Sequence, residues 1–201
     1  MKEILTKELA KKIMEIEGEG RGFSVKQDGE YIVKKWGKEA LARVEQELAR
    51  VGYPIKYSEI ESMAFYPAGL RALSLLAAKK VLNLEDEEIR EVCAFQPTTP
   101  LVVKLYMKYF FSVPKIMKKA QDMWRVYWTV GKMNFVEYNK KKKYAVIRIE
   151  GLSLHPIWCR CMEGYFRSIS KLVLGKTNIV CREVKCLSEG DDFHEYLIGW
   201  E

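Results

Sequence analysis

The sequence predicts an α+β fold, in which a helical N-terminal half packs on a C-terminal antiparallel sheet of ββ-α-ββ order. Apolar residues recur at helical spacing through much of residues 1–128. In residues 129–201, four short runs rich in aromatic and β-branched residues surround one longer helical pattern. With 201 residues, 48% of them apolar, the chain has enough material for one core, and we expect 1–201 to be a single domain.

The N-terminal half contains helical patterns separated by glycine and proline. Glycine follows several of these patterns, and the acids after Asn83 are typical of a helix start because carboxylates complement the helix dipole. Proline at 67 is placed to open one of the helices. The predicted helices cover residues 4–16, 28–36, 38–50, 67–82, a segment that begins near 85, 100–112 and 114–127.

The C-terminal half contains two predicted hairpins around a helix. Residues 130–138 and 144–149 are strand-like and are joined by Asn139 and four lysines, which is typical of a solvated hairpin tip. A helix is expected to begin at His155-Pro156 and to end at Gly175. Residues 179–186 and 193–200 predict the second hairpin.

The formal net charge of +7 is confined to the middle of the chain. Residues 1–99 and 144–201 each have a net charge of −1, whereas residues 100–143 have +9. A basic amphipathic helix pair can contact an acidic partner protein or an anionic membrane surface, although a solvated helix face is the plainer interpretation. The candidate docking residues are Lys104, Lys108, Lys115, Lys118, Lys119 and Arg125.

Several classes of protein are not expected. No run of 18 apolar residues and no signal-peptide pattern is present, so we expect a cytoplasmic protein. No nucleic-acid-binding motif accompanies the lysines, so we do not expect a nucleic-acid partner. With two histidines and no common catalytic motif, an enzyme is less expected than a binding protein, and haem ligation by His155 is not expected.

A group of thiol, carboxylate and imidazole side chains near the C-terminus indicates a metal site. Four of the five cysteines lie between residues 159 and 186, where thiols or metal ligands are expected before disulfides. Cys159 and Cys161 point in different directions on a helix, so at most one should join the site. Glu183 and Cys186 can share a metal only if the strand ends or bulges between them, and Cys181 is a weaker alternative. Buried core cysteines are the other interpretation.

The same region resembles the 4-vinyl-reductase domain family. The family includes the sensor domains of phenol-responsive regulators and is related in fold to haem–nitric-oxide-associated domains. The resemblance lies in a cysteine before Gly164-Tyr165, the helix end at Gly175, the stretch Arg182-Glu183-Val184-Lys185-Cys186, and Gly190-Asp191. In the phenol sensors, three cysteines and a glutamate hold a structural zinc ion. The resemblance therefore implies a zinc site, or its remnant, at Cys159, Glu183, Cys186 and His194, with histidine in place of the third cysteine.

The resemblance also implies a sensor or carrier for a small apolar or aromatic molecule, bound between the helices and the sheet. Aromatic residues of suitable position are Trp124, Trp128, Trp158, Tyr165 and Phe166, for which core packing is the alternative role. A sensor of this kind is expected to signal through a protein partner. Two other functions stay open: an interaction module that forms a homodimer or docks on a partner or membrane, and a reductase, which follows only from the family's name.

Overall fold

The computed structural model describes residues 5–95 and 113–201, without the side chains of 113–118 and 120. The predicted helix over 100–112 lies outside the described residues. The described α-helices are α1 Lys7–Met14, α2 Phe23–Trp36, α3 Lys38–Arg50, α4 Leu70–Leu82, α5 Asp86–Ala94, α6 Val113–Tyr127 and α7 Pro156–Leu174. The strands are β1 Glu19–Arg21, β2 Phe65–Pro67, β3 Lys132–Asn139, β4 Tyr144–Glu150, β5 Ile179–Lys185 and β6 His194–Trp200.

The predicted α+β fold is confirmed. Strands β3 to β6 form one antiparallel sheet in the order β3-β4-β6-β5, and α7 connects the two hairpins as the ββ-α-ββ order requires. One face of the sheet is apolar: Ile147, Ile149, Tyr196 and Ile198 are buried on it. The helix α7 packs on this inner face, because its buried residues Trp158, Cys159 and Phe166 need apolar cover.

The helical half is built around α4. Every residue from Leu70 to Ala78 is buried, so α4 is surrounded by its neighbours and has no solvent face over this length. Two polar residues of α4 are therefore paired: Arg71 donates to both carboxylate oxygens of Asp28 at 2.9 Å, and Ser74 shares a 2.6 Å hydrogen bond with Tyr57. These bonds fix α4 against α2 and the turn at Tyr57.

The helix ends follow the local sequence. The Thr6 hydroxyl accepts the backbone N–H of Leu9 at the start of α1. At the start of α5, the Glu85 side chain and the Glu88 side chain accept each other's backbone N–H groups in a capping box. Gly175 ends α7 with a φ of 62°, a left-handed conformation that glycine adopts without strain.

The starts of α2 and α4 differ from the predicted ones, and α1 is shorter than its predicted range of 4–16. Residues 65–67 form β2, which pairs antiparallel with β1 in a two-stranded sheet, so the following helix begins at Leu70 rather than at Pro67. The helix predicted over 28–36 begins earlier, at Phe23. Strands of three residues are too short to give a sequence period, which is why β1 and β2 were not predicted.

None of the described helices combines the length and the apolarity needed to cross a membrane.

Candidate metal centre and apolar pocket

Four side chains converge at the end of the sheet where α7 begins: Cys159, Glu183, Cys186 and His194, here called the ligand cluster. One ligand atom from each lies within 4.8 Å of the others. The sulfur of Cys159 lies 3.7 Å from the sulfur of Cys186 and 3.7 Å from His194 Nδ1. His194 Nδ1 lies 2.8 Å from Glu183 Oε1. Thiolate, imidazole and carboxylate donors within this distance can bind one divalent cation.

The backbone of β5 explains how Glu183 and Cys186 reach the same place. The pairing of β5 with β6 shifts register between Glu183 and Lys185, which marks a bulge, and the strand ends at Lys185. Cys186 is then held by a tight turn, in which its N–H donates to Asp191 Oδ2 at 2.7 Å. The sequence required a bulge or a strand end between the two residues, and the structure contains both.

The two cysteines at the start of α7 point in different directions, as helical geometry requires. Cys159 joins the ligand cluster, whereas Cys161 forms a disulfide with Cys93 of α5. The expectation of thiols or metal ligands before disulfides is therefore wrong for Cys161, because α5 packs close enough to α7 for the two sulfurs to bond. Cys181 is buried and free, and lies outside the ligand cluster.

The ligand cluster is buried, and this burial affects the thiols. His194 has no exposed surface and the Glu183 side chain is 5% exposed. Burial raises the pKa of Cys159, and the nearby Glu183 and Cys186 raise it further. A buried thiol with a raised pKa is neutral at pH 7 and is a poor nucleophile. A bound cation would replace the thiol proton, since thiolate is the form that binds metals.

Glu163 supports the ligand cluster from behind and was not predicted. Its carboxylate is buried on α7 and accepts the backbone N–H of Glu183 at 2.8 Å and Arg90 Nε of α5 at 2.7 Å. Arg160 Nη1 donates to it at 3.2 Å. The available signal was an acid among apolar residues beside Gly164, because a buried carboxylate requires such partners.

An apolar pocket lies between α7 and the inner face of the sheet, beside α6. Its cavity volume is about 70 Å³, and it opens to solvent on one side. Of the described residues that line it, none is charged. They are Met123, Met133, Phe135, Tyr138, Ala145, Ile147, Tyr165, Phe166, Ile169, Ser170, Val173, Leu174, Ile198 and Trp200. This location is typical of small-molecule sites, which are concave and mostly apolar.

The five predicted ligand-binding aromatics fall into two groups. Tyr165 and Phe166 line the pocket. The three tryptophans instead pack together. The ring of Trp128 lies 5.6 Å from that of Trp124 and 6.0 Å from that of Trp158, measured between centroids. Trp124 also donates from Nε1 to the carbonyl of Val130 at 2.8 Å. The structure therefore places the three tryptophans outside the lining of the pocket, in a separate packed group.

The predicted docking residues are only partly described. Lys119 and Arg125 are exposed on α6. Lys104 and Lys108 lie outside the described residues, and so do the side chains of Lys115 and Lys118. Beside Arg125, the side chains of Val126 and Tyr127 are also exposed, at 48% and 42%.

Comparison with known proteins identifies the fold. No family model and no curated protein matches the sequence. Among solved structures, an H-NOX protein from S. oneidensis in the Fe(II) ligation state matches with a TM-score of 0.62 and 13% identity, covering 90% of this chain and 96% of that one. An unliganded Fe(II) H-NOX protein from K. algicida matches with a TM-score of 0.61, 10% identity and coverages of 90% and 96%. An oxygen-binding H-NOX domain related to soluble guanylate cyclases, in its oxygen complex, matches with a TM-score of 0.55 and 13% identity, covering 90% of this chain and 95% of that one.

These matches correct the expected cofactors. Solved structures with this fold include H-NOX proteins studied for haem distortion, so the expectation that haem is unlikely, which was drawn from the lack of a residue pattern around His155, is wrong. The comparisons give zinc no support. The expected relation to haem–nitric-oxide-associated domains is supported, whereas the closer resemblance to 4-vinyl-reductase domains is not shown by them. By its architecture, the chain has the fold of the H-NOX domains.

Proposed function

We propose that this domain is a sensor that binds a small apolar molecule in the pocket between α7 and the sheet, and that the ligand cluster binds a divalent cation. The observation that carries the proposal is the uncharged, apolar lining of this pocket, which lies where the resemblance to 4-vinyl-reductase domains predicts a ligand. The H-NOX fold supports the same class of function, because its solved members include an oxygen-binding domain.

The lining of the pocket indicates the chemistry of its ligand. Apolar walls without a described charged group favour an uncharged molecule, since a charge would lose its hydration without gaining a partner. Methionine side chains at Met123 and Met133 adapt to different shapes and contact aromatic rings favourably. Tyr138 and Trp200 stack with centroids 5.8 Å apart at one end of the pocket. An aromatic or branched apolar molecule fits these walls.

Titration with N-phenyl-1-naphthylamine, an uncharged fluorescent probe, tests the pocket. We expect saturable binding to the wild type and a loss of about tenfold or more in affinity for Val173→Trp, because the larger side chain fills the space. The matched control is Val180→Trp on the outer face of the sheet, where the valine is 50% exposed. Equal binding by both variants would contradict the proposed location.

Haem is the second candidate occupant of the same pocket. Thioether and phenol groups are known axial ligand types, and Met123, Met133, Tyr138 and Tyr165 offer them along the lining. Neither histidine lines the pocket: His194 belongs to the ligand cluster, and His155 Nδ1 accepts the N–H of Ile157 at the start of α7. When bound, haem would supply an iron that binds diatomic gases. Displacement of the fluorescent probe by haem, with a Soret band, would favour this occupant.

The ligand cluster supports the proposed cation site through its donors and its burial. Two thiols, an imidazole and a carboxylate meet within 4.8 Å, a set that matches the preferences of thiophilic divalent cations. His194 faces the other ligands with Nδ1, which lies 2.8 Å from Glu183 Oε1 and 3.7 Å from the sulfur of Cys159.

Titration of purified protein with Co²⁺ tests the cation site, because thiolate binding gives a charge-transfer absorption band. We expect one Co²⁺ per chain in the wild type and a loss of the band in Cys186→Ala. Cys181→Ala is the matched control, since Cys181 is also free and buried on β5 but lies outside the ligand cluster. Metal analysis of the protein as purified would identify its own ion, and the absence of a band in the wild type would contradict the proposal.

A sensor also needs an output, which we propose is a protein partner. The exposed Lys119 and Arg125 on α6 support a docking role, together with the neighbouring exposed apolar side chains. Docking on a partner protein, on an anionic membrane or on a second copy of the chain stays a prediction.

A further inference from the structure

We propose that the ligand of the apolar pocket is an amphiphile, with an apolar body in the pocket and one anionic group among the lysines at the tip of the β3–β4 hairpin. This inference rests on the proposed function, because it needs the pocket between α7 and the sheet to bind a ligand. It adds the chemical class of that ligand and names the side chains that recognise its charge.

The pocket follows β3 toward the tip of the hairpin. Its lining on this strand begins at Met133 and continues through Phe135 to Tyr138. At the rise of an extended strand, Met133 and Tyr138 lie roughly 15 Å apart. The lining therefore suits an elongated molecule, one end of which lies near the hairpin tip.

Lining residues flank the hairpin tip on both sides. Tyr138 precedes Lys140 by two residues, and Ala145, another lining residue, follows Lys143 by two. The backbone N–H of Trp200, which also lines the pocket, donates to the carbonyl of Lys143 at 3.1 Å. The tip is thus held directly at the end of the pocket.

Positive charge is concentrated at this end of the pocket. The end of α7, where Val173 and Leu174 line the pocket, carries exposed lysines beside those of the hairpin tip. None of these exposed lysines forms an ion pair with another described residue. They are Lys140, Lys141, Lys142, Lys143, Lys171 and Lys176.

Negative charge is scarcer here. Among the described residues, the acids next to the tip are Glu137 and Glu201. Glu137 accepts a hydrogen bond from the hydroxyl of Tyr144, and Glu201 accepts one from the side-chain amide of Asn178. Lysines therefore outnumber acids at this end, which favours an anionic group over a cationic one.

The lining also offers hydrogen-bond donors at the same end. Tyr138 and Trp200, whose rings stack with centroids 5.8 Å apart, carry an O–H and an indole N–H. At the opposite end, Met133 and Phe135 have no side-chain donor. Donors and positive charge at one end, with apolar walls beyond them, match a molecule that has a single anionic end.

A charge at the end of the pocket avoids the cost that a charge inside it would incur. Because the tip lysines are exposed, an anion among them keeps part of its hydration. Exposed charge pairs are individually weak, so the apolar body should supply most of the affinity. The lysines then select for molecules that carry an anionic group.

Two fluorescent probes that share one ring system separate the effect of the charge from that of the body. N-phenyl-1-naphthylamine is uncharged, and 1-anilinonaphthalene-8-sulfonate carries one added sulfonate. In the triple variant Lys140→Gln, Lys141→Gln and Lys142→Gln, we expect the Kd of the sulfonated probe to rise by about fivefold or more, and that of the uncharged probe by no more than about twofold. In the wild type, added salt should weaken the binding of the sulfonated probe alone.

The matched control removes the same charge from a distant surface. It replaces three exposed lysines of the helical half by glutamine: Lys7, Lys12 and Lys38. We expect both Kd values to stay at their wild-type level in this control. Val173→Trp, which fills the pocket, should weaken both probes.

The outcomes separate the class of ligand from the pocket itself. If the uncharged probe binds the wild type but the tip variant weakens both probes equally or neither, or if the control variant weakens the sulfonated probe as much, the anionic class is wrong while the pocket stands. Binding of the sulfonated probe that persists in Val173→Trp would place this probe outside the pocket and overturn the inference. If the uncharged probe does not bind the wild type, the proposed function is wrong and the inference falls with it. A loss confined to the sulfonated probe and to the tip variant supports the inference.

Discussion

Gly164 marks the closest approach of α5 to α7. A Cβ atom at this position would lie 2.0 Å from the carbonyl oxygen of Arg90, which is backbone and cannot rotate away. The same contact brings Arg90 within reach of Glu163 and brings Cys93 within bonding distance of Cys161. Glycine is needed here for space between helices and not for an unusual backbone conformation.

At the residue scale, Gly164→Ala is expected to destabilise the fold. The added methyl group forces α5 and α7 apart, and overpacking of this kind costs typically about 1–3 kcal/mol. The free energy of unfolding in urea measures the effect. Gly199→Ala on β6 is the control, because a Cβ there meets nothing within 4 Å. Equal stability of the two variants would show that the helices can separate without cost.

The residues of the ligand cluster could be predicted from the sequence, but the residues that hold them in place could not. Ligand types and the helical directions of Cys159 and Cys161 are readable from spacing, since they depend on local geometry. Glu163 and the pairing of Cys161 with Cys93 are not, because both depend on how α5, far along the chain, packs on α7. The roles of Trp124 and Trp158 likewise depend on which aromatic neighbours the fold supplies.

At the scale of elements, α3 and α4 are joined by a small charge network at Glu47. Its carboxylate accepts hydrogen bonds from Arg50 on its own helix, at 2.7 and 2.8 Å, and from Lys80 of α4, at 2.8 Å. The hydrogen bonds from Arg50 lower the pKa of Glu47 to about 2, and the hydrogen bond and positive charge of Lys80 act in the same direction. The ionised form is therefore stabilised in the folded protein.

The stability that Glu47 contributes should depend on pH. Because its folded pKa of about 2 lies below the ordinary value of 4.5, the contribution is fully present above pH 4.5 and is lost as the pH falls from 4.5 toward 2. In Glu47→Gln we expect the free energy of unfolding to fall less between pH 4.5 and pH 2 than in the wild type. The difference should be about 1 kcal/mol or less, because both cationic partners are partly exposed. Chemical denaturation at several pH values measures it, and an unchanged slope would contradict the role of Glu47.

The helices and the long strands were predictable because each repeats an apolar period over many residues. Helix α3 and the hairpin β3–β4 begin and end close to their predicted limits. The pair β1–β2 was not predictable, since three-residue strands have no period and their pairing joins residues 19–21 to 65–67. The start of α4 was misplaced for the same reason, because Pro67 belongs to β2.

At the scale of the whole molecule, the disulfide joins the helical half to the ββ-α-ββ half. Cys93 and Cys161 are 68 residues apart, so the bond closes a long loop of the unfolded chain. Chain-entropy estimates give a stabilisation of roughly 4 kcal/mol for a loop of this length. Both cysteines are buried, so the bond is shielded from reductants while the protein is folded.

The double variant Cys93→Ala and Cys161→Ala should lower the free energy of unfolding by roughly 2–4 kcal/mol. Unfolding in urea should show the same loss when wild-type protein is studied with dithiothreitol, since the bond becomes accessible once the chain opens. The control is the double variant itself, whose stability dithiothreitol should leave unchanged. A wild type that is insensitive to the reductant and as stable as the variant would show that the bond contributes nothing.

The general architecture was predictable from the change of apolar period near residue 128, whereas the close packing of the two halves was not.

The bulge in β5 between Glu183 and Lys185, described above for its effect on the ligand cluster, has a further consequence for the protein's solubility. β5 is an outer strand of the sheet, and two of its own residues, Val180 and Val184, are half exposed. A flat outer strand of this kind would present free backbone groups to the strands of other molecules. The bulge and Lys185 interrupt that register, so the distortion that gathers the cation ligands also hinders edge-to-edge aggregation.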